Sequence, residues 1–269
     1  MAAEAAPAAA PPPTAEEREL SFVNARGERL AAVLVDTESQ DLVVLCHGYT
    51  ANMNNCQFPL LAQRLAEAGM SSLRFDHPCA TYSTSERQGP FVMGNHEEEA
   101  QDMADAVAFA EQQLGKRVVC LLGHSKGGIN VVLFAARFPS RVPKLVNLAG
   151  RFKCRDGTLQ RFGADILQRL EAGPVVRKEA WGEWTMTLED VMKRVNMDME
   201  GLARSIPPAT RMLCLHGTAD KTIPWEESKE CASLVPSAEL QLIEGADHNF
   251  NGQAAGEEMA RRVVAFVLS

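Results

Sequence analysis

Short apolar runs alternate with longer amphipathic stretches along most of the chain. Residues 20–24 and 30–35 flank Arg26-Gly27-Glu28, a polar break with a glycine, and read as an antiparallel hairpin. Residues 41–46, Asp-Leu-Val-Val-Leu-Cys, form a nearly continuous apolar run of strand length, as expected of a strand covered on both faces. An amphipathic helix over 60–68 ends at Gly69, and a strand follows at 71–76. Residues 97–114 carry acids at their start and apolar side chains at Met103, Ala106, Val107, Ala110 and Leu114, a helical spacing that stops at Gly115. Then come a strand at 117–122, a helix over 128–138 and a strand at 144–148. This alternation predicts an α/β fold with a parallel sheet. Residues 151–208 interrupt it with polar and helical stretches, including 159–170 and 188–195. It resumes with a buried strand from Arg211, a short apolar run after Glu239 and a closing helix over 255–268, with no internal repeat.

One of these strands runs straight into Gly123-His124-Ser125-Lys126-Gly127-Gly128. A serine on a sharp strand-to-helix turn needs small residues two before and two after it, because a Cβ there would strike neighbouring backbone. A serine hydroxyl is a poor nucleophile at neutral pH, so this chemistry requires a histidine base and an acid that fixes the base's tautomer. Both follow in the order Ser…Asp…His that belongs to this turn. Arg211-Met212-Leu213-Cys214-Leu215-His216-Gly217-Thr218-Ala219-Asp220 ends a strand and offers Asp220 as the orienting acid. Gly245-Ala246-Asp247-His248 ends the next apolar run and offers His248 as the general base. Ser125, Asp220 and His248 all fall just past the ends of expected strands, where open α/β sheets place their sites.

Other carboxylates compete for the acid's place. Asp76 lies at the end of the strand expected at 71–76, near a loop, Asp102 on a helix, and Asp247 beside His248, from which its side chain should diverge. His47, His124 and His216 adjoin glycines in turns and are expected to bond loop backbone and shape the pocket. An oxyanion hole needs backbone N–H groups aimed at the oxygen that gains charge. Lys126, next after the serine, is expected to give one through its amide rather than its side chain. The turn after 41–46, His47-Gly48-Tyr49-Thr50, gives the other, with Tyr49 N–H preferred and Thr50 as the alternative.

With these motifs in place the chain resembles the α/β-hydrolase superfamily over about residues 18–269. Within it the chain is similar to the small serine hydrolases grouped with cinnamoyl and feruloyl esterases and with serine-aminopeptidase-like and monoacylglycerol-lipase-like enzymes. That resemblance implies a mostly parallel eight-stranded sheet flanked by helices, a helical cap insertion at about 151–208, and esterase action on a small or medium acyl or aryl ester. The chain departs from the pattern after Leu73-Arg74-Phe75-Asp76. Such proteins carry a glycine-rich turn there, whereas this chain runs through His77-Pro78-Cys79-Ala80-Thr81-Tyr82 and beyond before Gly89, near the expected mouth of the site. Trp181, Trp184 and Phe162 either line an acyl or aryl pocket or form the core of the cap.

Composition narrows the partners. A formal charge of −8 with no lysine- or arginine-rich face argues against nucleic acid and against an anionic membrane surface. No apolar stretch approaches the length that spans a bilayer. Seven cysteines with no Cys-x-x-Cys pair read as reduced thiols, and the six histidines are too scattered for a zinc site. The acids of Glu97-Glu98-Glu99, after His96, fit a helix N-terminus better than a metal site. Residues 1–17, rich in Ala and Pro and lacking a basic start, read as a disordered tail rather than a signal or transit peptide, so a cytoplasmic location is expected. The expected activity is a serine carboxylester hydrolase that acts through an acyl-enzyme with no metal or organic cofactor, on a small-molecule ester. A thioesterase, acyltransferase or lyase would use the same triad, and a small-ligand binding protein on this fold is the rival of another class.

Overall fold

The computed structural model describes residues 16–78, 83–85 and 91–269. Strands β1 (Glu17–Val23), β2 (Arg29–Val35) and β3 (Asp41–Cys46) lead into α1 (Phe58–Glu67), β4 (Ser71–Phe75) and α2 (His96–Gln112). Then come β5 (Arg117–His124), α3 (Lys126–Arg137) and β6 (Lys144–Leu148). An excursion follows, built from α4 (Cys154–Phe162), α5 (Ile166–Glu171), β7 (Val175–Glu179), β8 (Gly182–Met186), α6 (Leu188–Val195) and α7 (Met199–Arg204). The chain returns through β9 (Arg211–Gly217), α8 (Trp225–Leu234), β10 (Ala238–Ile243) and α9 (Gln253–Leu268).

Eight strands make one sheet in the order β1-β2-β4-β3-β5-β6-β9-β10. β2 pairs antiparallel with both β1 and β4, and every other pairing is parallel. The central strands lack polar alternation because helices cover both faces, and side chains alternate between two cores. Leu42, Val44 and Cys46 point to one core with Met103 and Val107 of α2 and Val132 of α3. Val43 and Leu45 point to the other, against Leu61 and Leu65 of α1 and Val263 and Phe266 of α9. From β3 the chain crosses one way to β4 and the other way to β5. That reversal opens a crevice at the carboxyl ends of β3 and β5, the usual ligand position in such sheets.

The α/β-hydrolase fold expected from the sequence is the one observed, with four local corrections. β1 begins at Glu17, inside the segment expected to be tail, and ends one residue before the expected strand does. The helix expected over 159–170 is two helices, α4 and α5, broken at Gly163, whose φ of 103° suits glycine alone. The insertion is not purely helical: β7 and β8 form an antiparallel hairpin, with Trp184 and Met186 inward and Thr185 outward. That period of two is present in the sequence but is outweighed by the helical stretches around it. α8 was not expected, since its inward residues include Glu227, Ser228 and Cys231 rather than an aliphatic stripe. Residues 1–15 of the expected tail, and most of the departing loop after His77, lie outside the described residues. Among the described residues no helix is long and apolar enough to cross a membrane.

Candidate active site

Ser125 stands between the end of β5 and the first residue of α3, with φ 56° and ψ −111°, backbone angles that a residue with a Cβ rarely adopts. Its N–H donates to the carbonyl of Leu148 at 2.9 Å, which ties the turn to the end of β6. Two glycines permit the close packing around it. A Cβ on Gly123 would lie 2.0 Å from the carbonyl oxygen of Gly127, and one on Gly127 would lie 2.6 Å from that of Cys46. The strain at Ser125 holds its side chain out of the turn rather than in the helix behind it.

The residues expected past the strand ends converge on this serine. His248, in the loop after β10, has its Nε2 3.0 Å from Ser125 Oγ and its Nδ1 2.7 Å from Asp220 Oδ2. A carboxylate oxygen only accepts, so Nδ1 carries the proton and Nε2 is left free to accept from the serine hydroxyl. Asp220 Oδ1 accepts from the N–H groups of Thr222 and Ile223 at 2.7 and 2.9 Å. Burial alone would raise its pKa, but hydrogen bonds from His216, His248 and the Ile223 amide outweigh burial and hold the carboxyl well below the usual range.

The competing acids face elsewhere. Asp76 accepts from the N–H groups of Met53 and Thr84. Asp102 is buried against Asn24, Arg26 and His77, and Asp247 binds Asn249 and Asn251 within its own loop. His47 bonds the carbonyl of Gly48, and His124 donates from Nε2 to the carbonyl of His248, so both brace turns at the site.

The expected anion donors lie at the same crevice. Gly48 brings the turn after β3 against the serine, since a Cβ there would lie 2.9 Å from the Cβ of Ser125. Tyr49 and Thr50 line the cavity that also contains Ser125 and His248. The amides of Tyr49 and Lys126 have no acceptor among the described residues, which leaves both free to donate to a ligand. The Lys126 side chain turns away into a buried pair, with Nζ 2.7 Å from Glu99 Oε1 and bonded also to Asn95 Oδ1. Glu99 is pulled down to about 2: burial opposes this, and the Lys126 charge dominates the pull.

The bond from His216 to Asp220 and the arginines at the cavity were not foreseen from the sequence, although His216 does bond loop backbone as expected. His216 donates from Nε2 to Asp220 Oδ2 at 2.9 Å and to the carbonyl of Ile223 at 3.1 Å, while its Nδ1 lies 2.7 Å from the hydroxyl of Ser228 and accepts from it. The i, i+4 spacing of His216 and Asp220 across a strand end was the available signal. Arg151, Arg161 and Arg194 line a second cavity at Ser125, of about 50 Å³, together with Phe162. They lie within or next to the insertion, and nothing in their local sequence points inward. Trp184 instead packs in the insertion's own core with Ile166, Met186 and Val191, where Phe162 also takes part and against which Trp181 rests.

The sheet order, the strained serine turn and the loops at the strand ends are those of the α/β-hydrolase fold. Residues 41–158 match the family model described as alpha/beta hydrolase fold. The chain is 25% identical over 249 residues to a monoacylglycerol lipase of Mycolicibacterium smegmatis, covering 83% of this chain and 86% of that one. It is 24% identical over 231 residues to the mouse mitochondrial palmitoyl-protein thioesterase ABHD10, covering 79% of this chain and 70% of that one. Among solved structures, ferulic-acid-bound Est1E from Butyrivibrio proteoclasticus superposes with a TM-score of 0.72 at 20% identity, covering 93% of this chain and 98% of that chain. The chain thus has the α/β-hydrolase fold, and the proteins it is similar to include a monoacylglycerol lipase, a thioesterase and an esterase.

Proposed function

We propose that this chain is a serine carboxylester hydrolase working through an acyl-enzyme. The observation that carries the reading is the unbroken relay from Ser125 Oγ through His248 to Asp220, at 3.0 and 2.7 Å, on a serine held in a strained turn. Ser125 attacks the ester carbonyl and passes its proton to His248, whose imidazolium Asp220 stabilises. His248 gives that proton to the leaving alcohol, then takes one from the water that releases the acid. The amides of Lys126 and Tyr49 donate to the oxyanion. The curated relatives, one named a lipase and one a thioesterase, support acyl-bond hydrolysis in general.

The test is hydrolysis of p-nitrophenyl esters from acetate to decanoate. The expected result is steady-state turnover that favours short acyl chains, because the smaller cavity beside Ser125 holds only about 50 Å³. Tight ligand binding without turnover would instead indicate a binding protein on this fold.

A further inference from the structure

Ser125 lies on the wall between two cavities of unlike character. His248, Asn249 and Asn251 line one, of about 340 Å³. Lys126, Arg151 and Arg194 line the other, with no carboxylate among the described residues, and Arg161, Tyr49 and Thr222 stand with Ser125 on the boundary and line both. His248 must reach the departing oxygen to protonate it, so the leaving alcohol occupies the His248 side and the acyl group points into the cationic side.

The four cations differ in whether a carboxylate balances them. Glu99 pairs with Lys126 at 2.7 Å, and Glu227 pairs with Arg151 at 2.6 Å. Arg194 and Arg161 have no carboxylate partner among the described residues. Arg194 donates from Nη1 to His96 Nε2 at 3.0 Å. His96 Nδ1 lies 2.6 Å from Asn130 Oδ1 and donates to it, so the ring is neutral and offers Arg194 a lone pair but no charge. Burial, with the Lys126 and Arg194 charges beside it, holds the pKa of His96 well below its usual value, in keeping with this neutral form. Arg161 lies 4.4 Å over the centre of the Tyr49 ring, a contact that orients the guanidinium without neutralising it. Arg194 is half-buried without a counter-charge, which is costly, and with the exposed Arg161 beside the same cavity it makes a guanidinium pair that a planar carboxylate matches best.

We propose that the preferred substrates are half-esters of short dicarboxylic acids, with the free carboxylate of the acyl group held between Arg161 and Arg194. The volume sets the length. The cavity of about 50 Å³ suits a carboxylate on a short methylene link better than a fatty acyl chain. This proposal rests on the serine hydrolase reading. Its reaction is plain hydrolysis: Ser125 Oγ bonds the acyl carbon as the acyl–alcohol bond breaks, the alcohol leaves with the serine's proton through His248, and water then displaces Ser125 Oγ, giving its hydroxyl to the dicarboxylate and a proton back to the serine.

The experiment compares monoethyl succinate with ethyl isocaproate, in which an isopropyl group replaces the carboxylate at nearly the same shape. Ethanol release is measured for wild type, Arg161→Met, Arg194→Met and Ser125→Ala. The expected result is a kcat/KM for the half-ester at least about tenfold above that for the neutral ester, with the ratio falling by about tenfold or more in either arginine variant, chiefly through KM. Arg161 is exposed, so its variant remains informative should Arg194→Met fold poorly. Turnover that depends on Ser125 but favours the neutral ester, or is indifferent to charge, would overturn the anionic pocket while leaving the hydrolase reading in place. Failure of both esters, together with a Ser125 that no fluorophosphonate labels, would overturn the hydrolase reading itself.

Discussion

The carboxyl edge of the central sheet and the 151–208 insertion both face Ser125, yet they are built on different principles. At the sheet edge, each functional side chain sits within a few residues of a strand end, and that strand is fixed on both faces by buried aliphatics. Ser125, Asp220 and His248 follow β5, β9 and β10, and the Gly48 turn follows β3. In the insertion, short helices and one hairpin build a small second core around Trp184, Ile166 and Met186, which Phe91 and Met93 join and Tyr49 packs against, and long arginine side chains reach from the insertion toward the cavity. Rigid strands locate reacting atoms closely, whereas a satellite layer on its own core can change which acyl group is accepted without disturbing them.

The largest effect should come from breaking the sheet edge. His248→Ala or Asp220→Asn is expected to lower kcat by a factor of about 10⁴ while the melting temperature stays near that of wild type, which steady-state kinetics and calorimetry would check. Gly127→Ala tests the scaffold beneath the chemistry. Its Cβ would meet the backbone oxygens of Cys46 and His47 at 2.6 and 2.7 Å, so a loss of about 1–3 kcal/mol in denaturant unfolding and loss of turnover are expected together. By contrast, Trp184→Ala should cost about 3–5 kcal/mol within the insertion's core while leaving Ser125 reactive toward a small phosphonylating probe. If Trp184→Ala abolished that reactivity as well, the separation of the two regions would be wrong.

His216→Ala should have a smaller effect. It removes one donor to Asp220 and leaves the His248 bond intact, so kcat should fall about tenfold with KM unchanged.

The pH dependence of stability is a separate readout that spans both regions: His47 and His124 brace turns at the sheet edge, and His96 accepts from Arg194 of the insertion. Burial holds His47 down to about 4 and His124 down to about 3, and His96 lies well below its usual value. These histidines are neutral when folded and titrate near 6.5 when unfolded. Below that value the unfolded chain binds more protons, so stability falls as pH drops toward 4. Each histidine contributes up to about 1.4 kcal/mol per pH unit. Thermal melts in steps from neutral pH downward would show the decline, and a flat profile would mean that these rings are charged in the folded state.

What could be read from the sequence follows the same division. The parallel core strands are apolar runs bounded by glycines, and 41–46 and 144–148 match β3 and β6 residue for residue. The site residues beyond them were legible because strand ends, glycines and chain order constrain where a serine, an acid and a base can meet. The β7–β8 hairpin was not, since one strand reads Val-Val-Arg-Lys-Glu and only the inward Trp184 and Met186 of the other mark its period. The pocket arginines were hidden for a further reason: an arginine on a polar helix looks solvated until tertiary packing shows which side faces the cavity. His216 was expected to brace loop backbone, and it does so at Ile223, but its bond to Asp220 depends on how the chain turns after Gly217.

The most direct test of the central claim is mass-spectrometric mapping of a fluorophosphonate adduct on the folded protein. The relay from Ser125 through His248 to Asp220 predicts stoichiometric modification of Ser125 alone, lost in Ser125→Ala and strongly slowed in His248→Ala. A folded wild type that stays unmodified, or carries the adduct on another residue, would contradict it.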